Sequence, residues 1–203
     1  MTPFHRLAQA RGNPGRALAV SWSLLRGRFL LFRSRLIGRR VTAGKNFRLE
    51  GRLTVRGPGR VEFGDDVTVA MHVTPWTSSQ DAVISIGDRC ILNGTRFACA
   101  DRITIGADGL IGESHIMDTS FHSTAKDRRE PGATPRIAPV TIGANVWVSF
   151  NVGILPGTEI GANSVVGYGA VCSGTFPADS IIAGNPAAVV RPVRDISPGR
   201  EVS

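Results

Sequence analysis

The sequence predicts an all-β solenoid of about six triangular coils, preceded by an amphipathic helix. Three observations predict it. An apolar residue recurs at every sixth position over long stretches; the residues that break this register enter only after every third hexad; and 24 Gly and 12 Pro supply turn formers throughout a chain of 203 residues. A coil with three faces of six residues each behaves in this way, stacking its apolar rows on the next coil and tolerating loops at one corner.

The repeat is plainest from Ile142, through Val148, Ile154, Ile160 and Val166 to Cys172, with Val146, Val152, Thr158, Ser164 and Ala170 four positions after the first five. Earlier triplets keep the step of six: Val41, Phe47, Leu53; Val61, Val67, Val73; Ile86, Leu92, Ala98; Ile105, Ile111, Met117. Neither a 3.6-residue helix period nor simple strand alternation gives this spacing. Each short strand then sends one β-branched residue inward, and small or Gly residues turn the corner. Backbone groups pair with the coils above and below, so open sheet edges remain only at the two ends. A β-sandwich with regular turns is the alternative, but sandwiches do not hold a six-residue register over so long a stretch.

Composition narrows the class. At 42 % hydrophobic, 20 % charged and 6 % aromatic residues, the chain is neither disordered nor a bulk membrane protein. Gly has no strict third-residue period, which excludes collagen. Cys90, Cys99 and Cys172 form no CxxC and no His-containing ligand pattern, so they read as reduced, mostly buried thiols of a cytoplasmic protein, and no metal is expected. The first residues lack the apolar core of a signal peptide. The apolar stretch 18–37 is broken by Arg26, Arg28, Arg33 and Arg35, which bars it from spanning a bilayer.

Charge is strongly segregated. Residues 1–60 hold fourteen Arg or Lys against one acid, Glu50, a balance of +13, whereas residues 61–203 hold ten basic and fifteen acidic residues, a balance of −5. The N-terminal segment is therefore expected to meet an anionic partner. On a helical wheel Leu18, Trp22, Leu25, Phe29, Phe32 and Leu36 form a stripe about 80° wide, edged by Arg28 and Arg35 on one side and Arg26 and Arg33 on the other. Two readings follow: a helix lying in a membrane interface through residues 16–40 at the inner face of the membrane, or a cap over the first coil. No recognition motif supports nucleic-acid binding.

The stretch 140–190, with IGANVW, ILPGTEIGANSVVGYGAV and AGNPAAVV, resembles the left-handed β-helix (hexapeptide-repeat) acyltransferases. The resemblance is specific over 103–193 and looser, though in register, over 41–102. It implies a left-handed parallel β-helix, a homotrimer with active sites between subunits, and an acyl-CoA donor. Three segments follow: a basic helical segment 1–40, a β-helix 41–177 with an inserted loop 118–141, and a closing segment and tail 178–203.

The loop is where chemistry is expected, because a long insertion on a compact solenoid is usually functional. It carries Asp118 and His122 in DTSFH, and Arg136, which is expected to bind the acceptor together with His115. Acyl transfer to a hydroxyl or amine needs a base that titrates near neutrality, and His suits best. DTSFH resembles the family's catalytic segment, which makes His122 the base. Asp118 either orients its ring or caps the corner. His115, in the preceding hexad, lines the acceptor site or is a corner residue. A γ-type carbonic anhydrase shares the fold but needs three His ligands, and His115 and His122 have no third.

For the donor, the resemblance implies a groove lined or closed by Trp147, Gly167, Gly169 and the turn Ala183, Gly184, Asn185 and Pro186. Arg191, and with it Arg194, would meet CoA phosphates. Packing in the core or trimer interface is the competing reading for Trp147, and a solvated tail charge that for Arg191. The chain departs from its relatives at residues 173–177, where many carry a Lys, and at Phe150, where they carry a small residue. The expected activity is transfer of acetyl from acetyl-CoA to a saccharide hydroxyl in a cell-surface or exopolysaccharide precursor. N-acylation of an amino sugar and a non-catalytic β-helix scaffold are the alternatives.

Overall fold

The computed structural model describes residues 14–194. Short strands, mostly of two to four residues, stack in parallel into three sheets that form the sides of a prism. The chain visits the three faces in turn, giving six complete left-handed coils and a seventh of two strands. That last coil runs past residue 177: Ser180–Gly184 adds a rung to the second face, and Ala187–Pro192 folds back on it antiparallel. The irregular chain between coils leaves at the third corner, and the longest insertion separates Ser114–Met117 from Val140–Ile142.

The interior consists of rows that run along the prism. On the first face Phe63, Ile86, Ile105, Ile142, Ile160 and Phe176 stack in register. On the second, Leu49, Val69, Leu92, Ile111, Val148, Val166 and Ile182 do so. On the third the row is Phe97, Ile116, Ile154 and Cys172. Four hexad assignments are corrected here. Phe97 and Ile116 point inward, and Ala98 and Met117 do not, because the second corner is one residue shorter in these coils and strand alternation exchanges the faces. In the first two coils the row partners of Leu92 are Leu49 and Val69, while Phe47 and Val67 fill the preceding corner.

The first corner is a ladder of left-handed residues: Asn46, Asp66, Arg89, Asp108, Asn145, Asn163 and Asp179 all have φ between 55° and 63°. Asn and Asp tolerate this region best. They also bond along the axis, Asn145 Nδ2 to Asn163 Oδ1 at 3.0 Å and Asn163 Nδ2 to Asp179 Oδ1 at 2.9 Å. The glycine two residues earlier serves close stacking rather than the turn itself. A Cβ on Gly106 would lie 2.6 Å from the Ala144 nitrogen of the next coil.

The helix Pro14–Leu36 does cap the first coil, but not with its apolar stripe. Ser23, Gly27 and Ser34 are buried and Leu30 and Leu31 pack on the core, a face centred about 160° from the stripe. Arg26 fixes the contact by donating to the Glu50 and Gly51 carbonyls at 2.9 and 2.6 Å. Leu18, Trp22, Leu25, Phe29, Phe32 and Leu36 therefore face outward, with Trp22 62 % and Phe29 66 % exposed. No helix among the described residues is long and apolar enough to cross a membrane. At Gly27 a Cβ would come within 2.6 Å of the Phe47 carbonyl oxygen. Gly27→Ala should therefore destabilise the fold by about 1–3 kcal/mol despite the better helix propensity of Ala, readable as a lower thermal midpoint.

Candidate active site

The long loop is pinched at its base. Thr119 and Ile137 form an antiparallel bridge, Ser120 N donates to the Arg136 carbonyl at 3.0 Å, and Ala138 N donates to the Asp118 carbonyl at 2.9 Å. The base is tied in turn to the core by Asp118. This side chain is fully buried, and its carboxylate accepts from the backbone nitrogens of Ala100, Asp101 and Arg102 at 2.7–2.8 Å and from the Cys99 thiol at 3.3 Å. Both oxygens thus serve the preceding coil's third corner. Those are the contacts of a corner cap. Burial, reinforced by the carboxylate beside it, pushes the Cys99 thiol far up; burial alone lifts Cys172, and chiefly lifts Cys90, to about 11. None of the three is poised as a nucleophile.

His122 stands just above this base, exposed to solvent. Its own turn is tight: Phe121 has φ 60°, its nitrogen donates to Thr119 Oγ1 at 3.1 Å, and Ser120 Oγ donates to the His122 carbonyl at 2.8 Å. The Phe121 ring packs on Trp76 with centroids 5.4 Å apart, which ties the turn to the third face. His115 is exposed on that same face, in register with Arg96. Arg136 sits opposite Ser120 at the loop base, its guanidinium over Gly157. The loop thus brings His122 and Arg136 to one end of the third face. Trp76 escapes the sequence reading, its only signal being a large aromatic at an outward strand position.

The candidate donor residues lie elsewhere. Trp147 opens a strand on the second face and is 50 % exposed. Its outward row continues through Val165 and Ile181 to Arg191, so these two side chains share one face. Gly167 packs under Ala183, and a Cβ on Gly169 would meet nothing within 4 Å. Gly184, Asn185 and Pro186 form the exposed turn that joins the last two strands. Arg194 is exposed just beyond them. Phe150 is exposed at the second corner, where Gly169 N donates to its carbonyl and Asn151 meets the Tyr168 hydroxyl at 2.7 Å. The second face is the side opposite the third corner, from which the loop leaves. One copy therefore presents its Trp147 row and its His122 on opposite sides. Among the described residues no three His, Cys, Asp or Glu side chains gather as a metal site would require.

Known proteins resemble this chain in sequence and fold. The family model for the bacterial transferase hexapeptide (six repeats) matches residues 139–174. An Escherichia coli K12 protein named as a lipopolysaccharide biosynthesis O-acetyl transferase, WbbJ, is 31 % identical over 147 residues, which cover 68 % of this chain and 74 % of that protein. The galactoside O-acetyltransferase of the same organism is 36 % identical over 93 residues, 46 % of this chain and 45 % of its own. Among solved structures, the polysialic acid O-acetyltransferase OatWY superimposes with a TM-score of 0.67 at 25 % identity, over 79 % of each chain.

Proposed function

Because the chain belongs to the hexapeptide-repeat acetyltransferase family, we propose that it moves acetyl from acetyl-CoA to a hydroxyl of a saccharide, with His122 as general base. The observation that carries this reading is the setting of His122: an exposed imidazole on a turn locked by Thr119, Ser120 and the Trp76–Phe121 contact. A base must be held at hydrogen-bond distance from the acceptor proton, and a locked turn does that better than a free loop. His122 takes the proton as the acceptor oxygen attacks the thioester carbonyl. A backbone N–H receives the oxyanion, and collapse breaks the C–S bond as His122 returns the proton to the thiolate. Asp118 acts at one remove, by holding the loop base. The test is thiol release from acetyl-CoA across a panel of hydroxyl sugars, amino sugars and no acceptor. Turnover confined to amino sugars would replace O- by N-transfer, and absence of both binding and turnover would end the reading.

The site is completed between copies. His122 and the Trp147–Arg191 row stand on opposite sides of one prism, so donor and base meet when the loop of one copy reaches the second face of its neighbour. A closed ring of three copies makes three such contacts with one surface pair. Trp147, Gly167, Gly169, the turn at 183–186 and Arg191 then hold acetyl-CoA, the guanidinium meeting its phosphates.

The outward stripe of the N-terminal helix docks on an anionic lipid surface. Six large apolar side chains in a row, edged by arginines, match the apolar boundary and the headgroup charge of such a surface. The protein should co-sediment with vesicles containing phosphatidylglycerol and not with phosphatidylcholine alone. Trp22→Glu/Phe29→Glu should stay in the supernatant; if the pair still sediments, or only changes oligomeric state, the stripe faces something else.

A further inference from the structure

The N-terminal half of the third face is a basic track that ends at His122. From the first coil it presents Arg52 and Arg56, from the second His72 and Trp76, and from the third Arg96. Two cavities line it. One, of about 390 Å³, lies between the helix and the first coil and takes in Arg33, Arg39, Arg52 and Thr54. The other, of about 440 Å³, takes in Arg56, His72, Trp76 and Arg96. They adjoin where Thr54 Oγ1 and His72 Nε2 lie 3.0 Å apart. None of Arg33, Arg39, Arg52, Arg56 and Arg96 pairs with a carboxylate among the described residues, and the one acid lining either cavity is Glu113. Past the coil that carries the loop the same face turns neutral: the residues in register with His115 are Gly153 and Val171.

We propose that this track is the acceptor site and that the acceptor is anionic, a saccharide whose carboxylate or phosphate groups lie between the N-terminal helix and His122. The inference rests on the acetyl-transfer reading and adds the acceptor's charge to it. Guanidinium groups without carboxylate partners are suited to bind oxyanions in pairs. Trp76 offers the flat apolar surface on which a sugar ring stacks, and it touches Phe121, the residue before the base. A ring seated there has its hydroxyls beside His122, and its charged neighbours fall on Arg56 and Arg96.

Isothermal titration of the full chain without acetyl-CoA tests this with three soluble probes: a polyuronate oligosaccharide, a neutral oligosaccharide of equal length, and a short glycan ending in a diphosphate. One anionic probe should bind about tenfold or more tightly than the neutral one, and lose affinity as salt rises. Uronate binding places the charge along the chain; diphosphate binding places it at one end. Arg56→Ala/Arg96→Ala should abolish the preference, while Arg56→Lys/Arg96→Lys, which keeps the charge, should retain part of it. Equal affinity for the neutral probe, no binding of either anion, or an undiminished preference in the alanine pair overturns the proposal. Thiol release on the same probes separates the two readings. Anion binding without release defeats acetyl transfer alone, and release that ignores acceptor charge defeats only the anionic track.

Discussion

Replacing His122 by alanine lowers acceptor-dependent release of CoA thiol by about 10³-fold, within the range of 10²–10⁴ for loss of a general base. The thermal midpoint stays where it is, because the side chain is exposed and the bonds that lock its turn come from Ser120 and the His122 backbone. The KM for acetyl-CoA changes little, since the residues proposed to hold the donor are those of the Trp147–Arg191 row and the 183–186 turn, and the imidazole is not among them. The loss therefore falls on kcat, as expected of a group that acts in the transition state. Near-wild-type turnover in a folded His122→Ala protein would remove the imidazole from the mechanism.

Asp118→Asn has the opposite signature. Three backbone N–H groups and a thiol converge on one buried carboxylate, and an amide would turn its own N–H groups toward some of those donors. Leaving buried donors unpaired costs about 1–3 kcal/mol each, so a loss of about 2–4 kcal/mol is expected after local relaxation. For a chain of this size that lowers the thermal midpoint by about 5–15 °C. Activity measured well below the new midpoint falls less than in His122→Ala. An unchanged midpoint with kcat abolished would show instead that the carboxylate acts on the His122 ring.

The hexad register, the corner that accepts insertions and the loop bearing His122 can all be read from residue types and spacing, since a stacked coil repeats its demands at every turn. Where the reading slips, the cause is local. A second corner shorter by one residue sends Phe97 and Ile116 inward in place of Ala98 and Met117. The helix misleads for a different reason: hydrophobicity marks its wide aromatic stripe, but contact is made by Ser23, Gly27 and Ser34, whose small size lets the helix approach Phe47. Asp118 is left between two roles because spacing cannot reveal which backbone donors a carboxylate meets. Trp76 and Arg96 lie about twenty residues apart in sequence and become neighbours only by coil stacking.

The central claim is that the base and the donor face come from different copies, and hybrid oligomers test it most directly. His122→Ala and Trp147→Arg proteins, each inactive alone, are unfolded together, refolded and assayed for thiol release. Random mixing restores about one quarter of wild-type activity, the fraction of interfaces that unite an intact loop with an intact face. Hybrids as inactive as their parents, with mixed oligomers confirmed by mass, would contradict it.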